Sequence, residues 1–358
     1  MDYKKRTQAI LSLMKNERVD WFFVTGLVNV RYLSGFTGSH GILLIGPGER
    51  YILTDGRYQE QVWKEVSEYQ PVIQGNRQDE EAIRDTVGDL ADCTVWFEPE
   101  HCSFSRYEKM RDILAAETFL GKKNVVESLR EVKDKDEIAL LRRALQVAEK
   151  GLSRAIGGIR EGMTERELAH LLEDEMWRGG ADKESFESLV LFGKRSSLPH
   201  GMPSNARLKR GDAVLMDFGC VVDGYCSDIT RTVFFGEPDD EFKRMYDLVL
   251  EANCTVEEKI KAGVHDKQAD DIARQVFKNS GKEEFFVHGL GHGVGLEIHE
   301  APRLSQLAEG VLQTGNIVTI EPGLYVPDYG GIRIEDMVVV RDGDCELLNQ
   351  SSKDLIVI

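Results

Sequence analysis

Four short segments in the second half of the chain concentrate carboxylates and imidazoles among apolar and glycine residues. The first runs Val214-Leu215-Met216-Asp217-Phe218-Gly219 and continues, past Asp223-Gly224, into Tyr225-Cys226-Ser227-Asp228-Ile229-Thr230-Arg231-Thr232. An Asp-Gly pair between apolar runs is a strong signal for a two-residue hairpin loop. Pairing Val222 with Tyr225 sets Asp228 opposite Gly219, two positions from Asp217, so both carboxylates share a face unless a bulge intervenes. Two like charges on an otherwise apolar strand pair destabilise it, and a divalent cation removes the conflict. The alternative is that one Asp caps a turn while the other pairs with Arg231.

The second segment, HGLGHGVGLEIHE from His288 to Glu300, holds three of the chain's eight histidines: His288, His292 and His299. Its interleaved glycines argue against a helix and suit an irregular strand where backbone approaches a ligand closely. Neutral imidazole is a common transition-metal ligand, although a lone histidine is more often a satisfied core residue. The third segment, Ile320-Glu321-Pro322-Gly323-Leu324-Tyr325, and the fourth, Arg333-Ile334-Glu335-Asp336, each place a Glu on a strand rich in β-branched residues. Arg333 and Glu335 alternate with Ile332, Ile334 and Met337, a pattern shared with surface ion pairs. Together the segments offer two Asp, two Glu and at least one His, which suits two divalent ions such as manganese, cobalt or zinc. Two such ions ~3.5–4 Å apart bind a bridging water, lower its pKa and polarise a carbonyl. No cysteine stands at these positions, which disfavours a structural zinc site.

The elements that must carry these residues follow from periodicity. In the first part of the chain Ala9, Leu11, Leu13 and Met14 supply the apolar face of an opening helix. Trp21–Val24, Gly41–Ile45, Tyr51–Thr54 and Thr94–Phe97 read as strands, with Gly46-Pro47-Gly48-Glu49 as a hairpin turn. Asp79–Leu90 and Ser105–Ala116 read as helices. This order predicts an α/β domain with a mixed sheet over residues 1–122, ending at a linker near Gly121-Lys122-Lys123-Asn124. Beyond it, Ile138, Leu141, Leu145, Ala148 and Leu152 mark one face of a long helix. Thr164 with Glu167 forms a capping box for the next helix, which stops at Gly179-Gly180. From Ala213 strands dominate, interrupted by helices near 240–262 and 266–280, so residues 123–358 read as an α+β domain.

Composition bounds the function. The chain has 358 residues, 41% hydrophobic and 30% charged, as in a globular protein. Its formal net charge of −17 argues against nucleic acid and anionic membrane as partners. The opening residues lack the apolar core of a secretory signal, and no run is long enough to span a bilayer, so a cytoplasmic location is expected. The six cysteines form no Cys-x-x-Cys pair and are expected to be reduced thiols.

In combination, Asp217 with Asp228, HGLGHGVGLEIHE, IEPGLY and RIED resemble the signature of the proline-specific metallopeptidases. These are aminopeptidase P and Xaa-Pro dipeptidase (prolidase), of the methionine-aminopeptidase or pita-bread fold. The resemblance implies five metal ligands, Asp217, Asp228, His292, Glu321 and Glu335, holding two divalent ions, manganese first among them. Asp228 and Glu335 would bridge the ions, Asp217 would hold one, and His292 with Glu321 the other. It further implies that Glu321 takes the proton of the attacking water and that His299 stabilises the oxyanion. His200 and His288 would shape the proline pocket, and Arg333 and Tyr325 would hold substrate or relay protons.

Leu33-Ser34-Gly35-Phe36-Thr37-Gly38-Ser39 and Thr54-Asp55-Gly56-Arg57-Tyr58 are similar to segments of aminopeptidases P. They favour an Xaa-Pro aminopeptidase acting on peptides with proline second, with the dipeptide-restricted prolidase as the alternative. The resemblance also implies a homodimer. A methionine aminopeptidase is disfavoured because its simplest forms lack such an N-terminal domain. A non-catalytic peptide-binding relative, or a metal-free creatinase-like hydrolase, is disfavoured because every ligand position is filled.

Overall fold

The computed structural model describes residues 1–358 and divides them into two compact units, Met1–Arg130 and Glu131–Ile358. The first unit opens with α1 (Tyr3–Glu17), whose buried side chains are Arg6, Thr7, Ile10 and Met14. Ala9 is exposed and Leu11 and Leu13 only half-buried, so the inward face is set by the four-residue step from Ile10 to Met14 rather than by the expected stripe. There follow β1 (Trp21–Val24), α2 (Leu27–Ser34), β2 (Ile42–Ile45), β3 (Arg50–Thr54), α3 (Gln59–Glu65) and β4 (Gln70–Ile73). The unit closes with α4 (Asp79–Val87), β5 (Thr94–Phe97), α5 (Phe104–Leu114), β6 (Thr118–Gly121) and α6 (Glu127–Arg130). Its six strands form one sheet in the order β4-β3-β2-β1-β5-β6. β1, β2 and β3 pair antiparallel and the remaining pairs are parallel, so the sheet is mixed. The central strands carry Phe22, Phe23, Leu43 and Leu44 with no exposure, because helices cover both faces of the sheet and leave no polar side.

In the second unit α7 (Lys135–Gly157) and α8 (Glu165–Arg178) each begin with a complete capping box, Asp134 with Glu137 and Thr164 with Glu167. After them come β7 (Lys183–Glu184), β8 (Leu189–Phe192), β9 (Asp212–Phe218), β10 (Cys220–Val222), β11 (Tyr225–Cys226) and β12 (Ile229–Phe235). Helices α9 (Asp240–Lys259) and α10 (Asp266–Asn279) precede β13 (Gly291–Gly293), β14 (Glu300–Leu304) and β15 (Ile317–Ile320). Last are β16 (Gly323–Val326), β17 (Gly330–Arg333), β18 (Asp336–Val340) and β19 (Cys345–Leu347). The sheets are short and antiparallel: β11-β10-β7, β12-β9-β8, β14-β13-β15-β18-β19 and the ribbon β16-β17. One face of α9 and α10, including Phe242, Tyr246, Val249 and Phe277, packs with Val318, Ile320 and Val338 of the largest sheet.

The hairpin read from Asp223-Gly224 is present. Both residues have positive φ, 50° and 85°, as the primed two-residue turn requires. Val222 pairs Tyr225, and the register resumes unshifted at Phe218 with Ile229 and Asp217 with Thr230. No bulge intervenes, so Asp228 falls opposite Gly219, two positions from Asp217. Between these ladders the backbones close in at Gly219, where a Cβ would lie 1.9 Å from the Ser227 carbonyl oxygen. Only glycine fits there.

Candidate metal centre

The carboxylates and the imidazole of the four segments meet where strands end. Asp217 lies near the end of β9, Asp228 just before β12, and His292 within β13. Glu321 follows β15 and Glu335 falls between β17 and β18, so neither Glu is a strand residue as the sequence pattern suggested. Pro322 has no N–H to continue a ladder, and the Glu335 N–H turns to the Thr230 carbonyl at 3.2 Å, which breaks the pairing at both sites. Freed from the ladders, the two Glu side chains point where the sheets converge.

One oxygen from each of Asp217, Asp228 and Glu335 lies within 4.8 Å of the others. His292 Nε2 is 3.5 Å from both Asp228 Oδ2 and Glu321 Oε1. Its other ring nitrogen, Nδ1, is 3.1 Å from the Gly293 carbonyl, which fixes the proton there and turns the Nε2 lone pair towards the carboxylates. Two hydroxyls orient the acids. Thr230 Oγ1 donates to Glu335 at 2.7 Å and accepts from Arg333 Nε at 3.0 Å. Thr319 Oγ1 donates to Glu321 at 3.2 Å and accepts the His292 N–H at 3.0 Å.

Burial pushes the Asp228 and Glu335 carboxyls well above the usual carboxylate range, and the neighbouring acids push further in the same direction. Glu321 rises to about 8, chiefly through desolvation, with Asp217 adding and Arg333 opposing. Desolvation lowers His292 to about 4 and His288 to about 3, so both rings are neutral at physiological pH. Four acids thus face an imidazole lone pair, with Arg333 the guanidinium among them. This donor set fits divalent cations, which relieve the crowding of negative groups while the carboxylates stay ionised.

The alternative pairings are excluded. Arg231 bonds Asp336 at 2.7 Å, not Asp217 or Asp228. Arg333 and Glu335 are buried, and Arg333 is paired with Asp217 rather than sitting on a surface. Arg333 also donates to Tyr325 Oη at 2.5 Å, and that hydroxyl meets His288 Nε2 at 2.8 Å.

All four acids line a cavity of about 350 Å³ together with His200, His288, His292, His299 and Arg333. Tyr325 stands behind it, reached through His288 and Arg333. Phe186, Leu189, Pro199 and Ile298 make an apolar wall, the surface that a proline ring or small side chain needs. His299 packs edge-on against His292 at 4.4 Å between ring centres. Arg303 also lines the cavity and was not picked out from the sequence. It faces His292 across β13 and β14, next to a bulge in the register, a placement that sequence spacing does not carry.

Residues 139–342 match the model of metallopeptidase family M24, and residues 6–132 match the creatinase/prolidase N-terminal domain. The chain belongs to family M24. As an M24 metallopeptidase it pairs a creatinase-type N-terminal domain with the pita-bread catalytic fold. An Xaa-Pro dipeptidase of Pyrococcus furiosus is 37% identical over 355 residues, covering 99% of this chain and 100% of the relative. Among solved structures, an Xaa-Pro dipeptidase from Bacillus anthracis superposes with a TM-score of 0.96 at 36% identity, covering 99% of this chain and 100% of the other. An X-Pro aminopeptidase from Thermotoga maritima superposes at 0.91 with 37% identity, covering 96% and 100%. No helix of this M24 chain is long and apolar enough to cross a membrane.

Proposed function

We propose that this metallopeptidase is an Xaa-Pro dipeptidase, cleaving the bond between an N-terminal residue and a C-terminal proline. The observation that carries the reading is Arg303 in the cavity wall, a cation near His299, whose pKa is lowered by burial first and by the Arg303 charge second. A substrate ending at proline brings a free carboxylate next to its ring, and a guanidinium is the group best matched to a carboxylate. The dipeptidase names of the Pyrococcus furiosus and Bacillus anthracis relatives favour this reading over the aminopeptidase one drawn from the N-terminal segments. The Thermotoga maritima aminopeptidase keeps the longer-substrate reading as the second choice.

Asp217, Asp228, His292, Glu321 and Glu335 would hold two divalent ions, with manganese the first choice and cobalt or zinc compatible with the same donors. Bound there, the ions supply Lewis acidity and a water that ionises at neutral pH. The chain's own groups do the rest. Glu321, kept ionised by the cations, accepts the proton of the attacking water. His299 donates to the oxygen of the tetrahedral intermediate as charge grows on it. His200 and His288 flank the proline ring, while Arg333 fixes Asp217 and, through Tyr325, His288. The scissile bond is a tertiary amide without N–H, so the site needs an exposed carbonyl and a pocket for the ring rather than a backbone donor from proline. A cytoplasmic homodimer is part of the same proposal.

The test is metal-free protein reloaded with manganese, cobalt or zinc and given Ala-Pro and Ala-Pro-Ala. Cleavage of Ala-Pro alone is the expected result. Comparable cleavage of both would restore the aminopeptidase reading, and cleavage of neither would sink both.

A further inference from the structure

The first turn of α8 holds a carboxylate that the reaction does not use. Glu165 is fully buried, whereas a Glu at the first helical position ordinarily faces water beside the positive helix terminus. Its acceptor capacity goes to one connection, the chain leaving β8. Oε1 accepts from the Phe192 N–H at 2.9 Å and Arg195 Nε at 3.0 Å. Oε2 accepts from Arg195 Nε at 3.0 Å, the Ser204 N–H at 2.8 Å and Ser204 Oγ at 2.6 Å. The same helical turn also donates. The N–H groups of Glu165 and Arg166, left without partners inside the helix, bond the carbonyls of Ala206 at 3.2 Å and Ser204 at 3.3 Å. Arg195 then ties the loop to itself through the Met202 carbonyl at 2.8 Å.

The loop gripped in this way, residues 193–206, carries Pro199 and His200, two of the groups lining the cavity. Gly193–Ser197 forms a 3-10 turn whose buried Ser196 accepts the Gly331 N–H at 2.7 Å through its Oγ, whereas beyond that turn Leu198, His200 and Met202 are exposed. Gly201 approaches Leu191 closely, where a Cβ would lie 3.0 Å from the leucine methyls. With so little apolar burial, the stretch from Leu198 to Met202 depends on polar anchors at its two sides, and backbone order lost there is regained only at a cost when substrate binds. We propose that Glu165 is the positioning residue for the proline end of the cavity. By clamping both ends of loop 193–206 to α8, it presents Pro199 and His200 in one arrangement before substrate arrives. Burying a carboxylate is unfavourable unless donors satisfy it, and here the donors come from the loop that it orders. The inference rests on the Xaa-Pro reading of the cavity.

The test compares wild type, Glu165→Gln and Ser204→Ala, each loaded with manganese and assayed on Ala-Pro, alongside amide hydrogen exchange. Gln turns one acceptor oxygen into a donor facing donors, while Ser204→Ala removes a single hydroxyl and leaves the fold in place. Glu165→Gln should raise KM about tenfold, with kcat within about twofold, the signature of lost uniform binding. Ser204→Ala should move KM the same way by a smaller factor. Faster exchange should be confined to residues 193–206, with manganese affinity unchanged. Wild-type KM and wild-type loop exchange in Glu165→Gln would overturn the proposal, as would kcat and manganese affinity falling together. If Glu165→Gln fails to fold, Ser204→Ala decides by the same readouts. A wild type that ignores Ala-Pro would defeat the dipeptidase reading alone, because the exchange comparison still decides the clamp.

Discussion

At the scale of single residues, the metal-ligand candidates were legible because their types and spacing conflict with an ordinary strand. Asp217 and Asp228 share a face once the Asp223-Gly224 turn fixes the register, and the register indeed runs unshifted. Glu321→Gln keeps the size of the side chain and removes the proposed proton acceptor. It should lower kcat by ~10²–10⁴-fold, the range for losing a general base, while the fold persists. A variant with full activity would remove Glu321 from its proposed role. Arg303 was not legible, since its place in the cavity depends on a cross-strand partner next to an irregular register. Arg303→Gln should raise KM for Ala-Pro about 10–100-fold, the ~1.5–3 kcal/mol of a hydrogen bond to a charged group. The same substitution should matter little for Ala-Pro amide, whose terminus is uncharged. Equal losses on both substrates would place Arg303 elsewhere in the reaction.

At the scale of elements, caps and turns were legible and inward faces less so. The Thr164–Glu167 box was legible because capping is local chemistry, with both partners within one turn; the Asp134–Glu137 box, equally local, emerged only from the structure. The face of α1 was misread because the apolar side chains from Ala9 to Met14 spread over a broad sector and only packing selects Ile10 and Met14 within it. The same holds for Glu321 and Glu335, where a proline and a cross-sheet bond, not β-propensity, end the strands. Asp134 accepts the N–H groups of Asp136 and Glu137 at 2.9 and 3.0 Å, so Asp134→Ala should cost ~1 kcal/mol in urea unfolding. The start of α4 carries a pH-dependent contact as well. His40 Nε2 meets Asp79 Oδ1 at 3.1 Å, which raises the histidine and lowers the aspartate from their ordinary values. The histidine contribution is complete below its unfolded pKa and lost as pH rises through the higher folded one. The aspartate contribution is complete above its unfolded pKa and lost as pH falls through the lower folded one. The contact is therefore strongest between about pH 4 and 6.5, the two unfolded values. The melting temperature of wild type relative to His40→Gln should peak in that window, and a flat difference across pH would show that the contact contributes nothing.

At the scale of the whole molecule, the two-part order of the chain was visible in the switch from alternating helices and strands to helices followed by antiparallel strands. What sequence cannot show is the energetic cost of bringing four acids into one buried site, because that depends on strands far apart in the chain converging. Without cations, burial and mutual repulsion raise Asp228, Glu335 and Glu321, so the catalytic unit holds a destabilising cluster at its centre. Cations that bind the folded site and not the unfolded chain stabilise by mass action, by ~2.7 kcal/mol at a hundred times the dissociation constant. Adding manganese to metal-free protein should therefore raise its melting temperature in steps that follow occupancy, and a chelator should reverse the shift. Asp228→Asn probes both effects, since it removes one buried carboxyl and one proposed ligand together. Its metal-free form should melt at or above the metal-free wild type, because a repelling carboxylate has gone. Its gain from manganese should be smaller, because a ligand has gone too. If Asp228→Asn instead lowered the metal-free melting temperature and kept the full gain from manganese, Asp228 would be a structural acid rather than a ligand. The opposite pattern would identify the site as one where stability is given up for the sake of binding, with the cation restoring it.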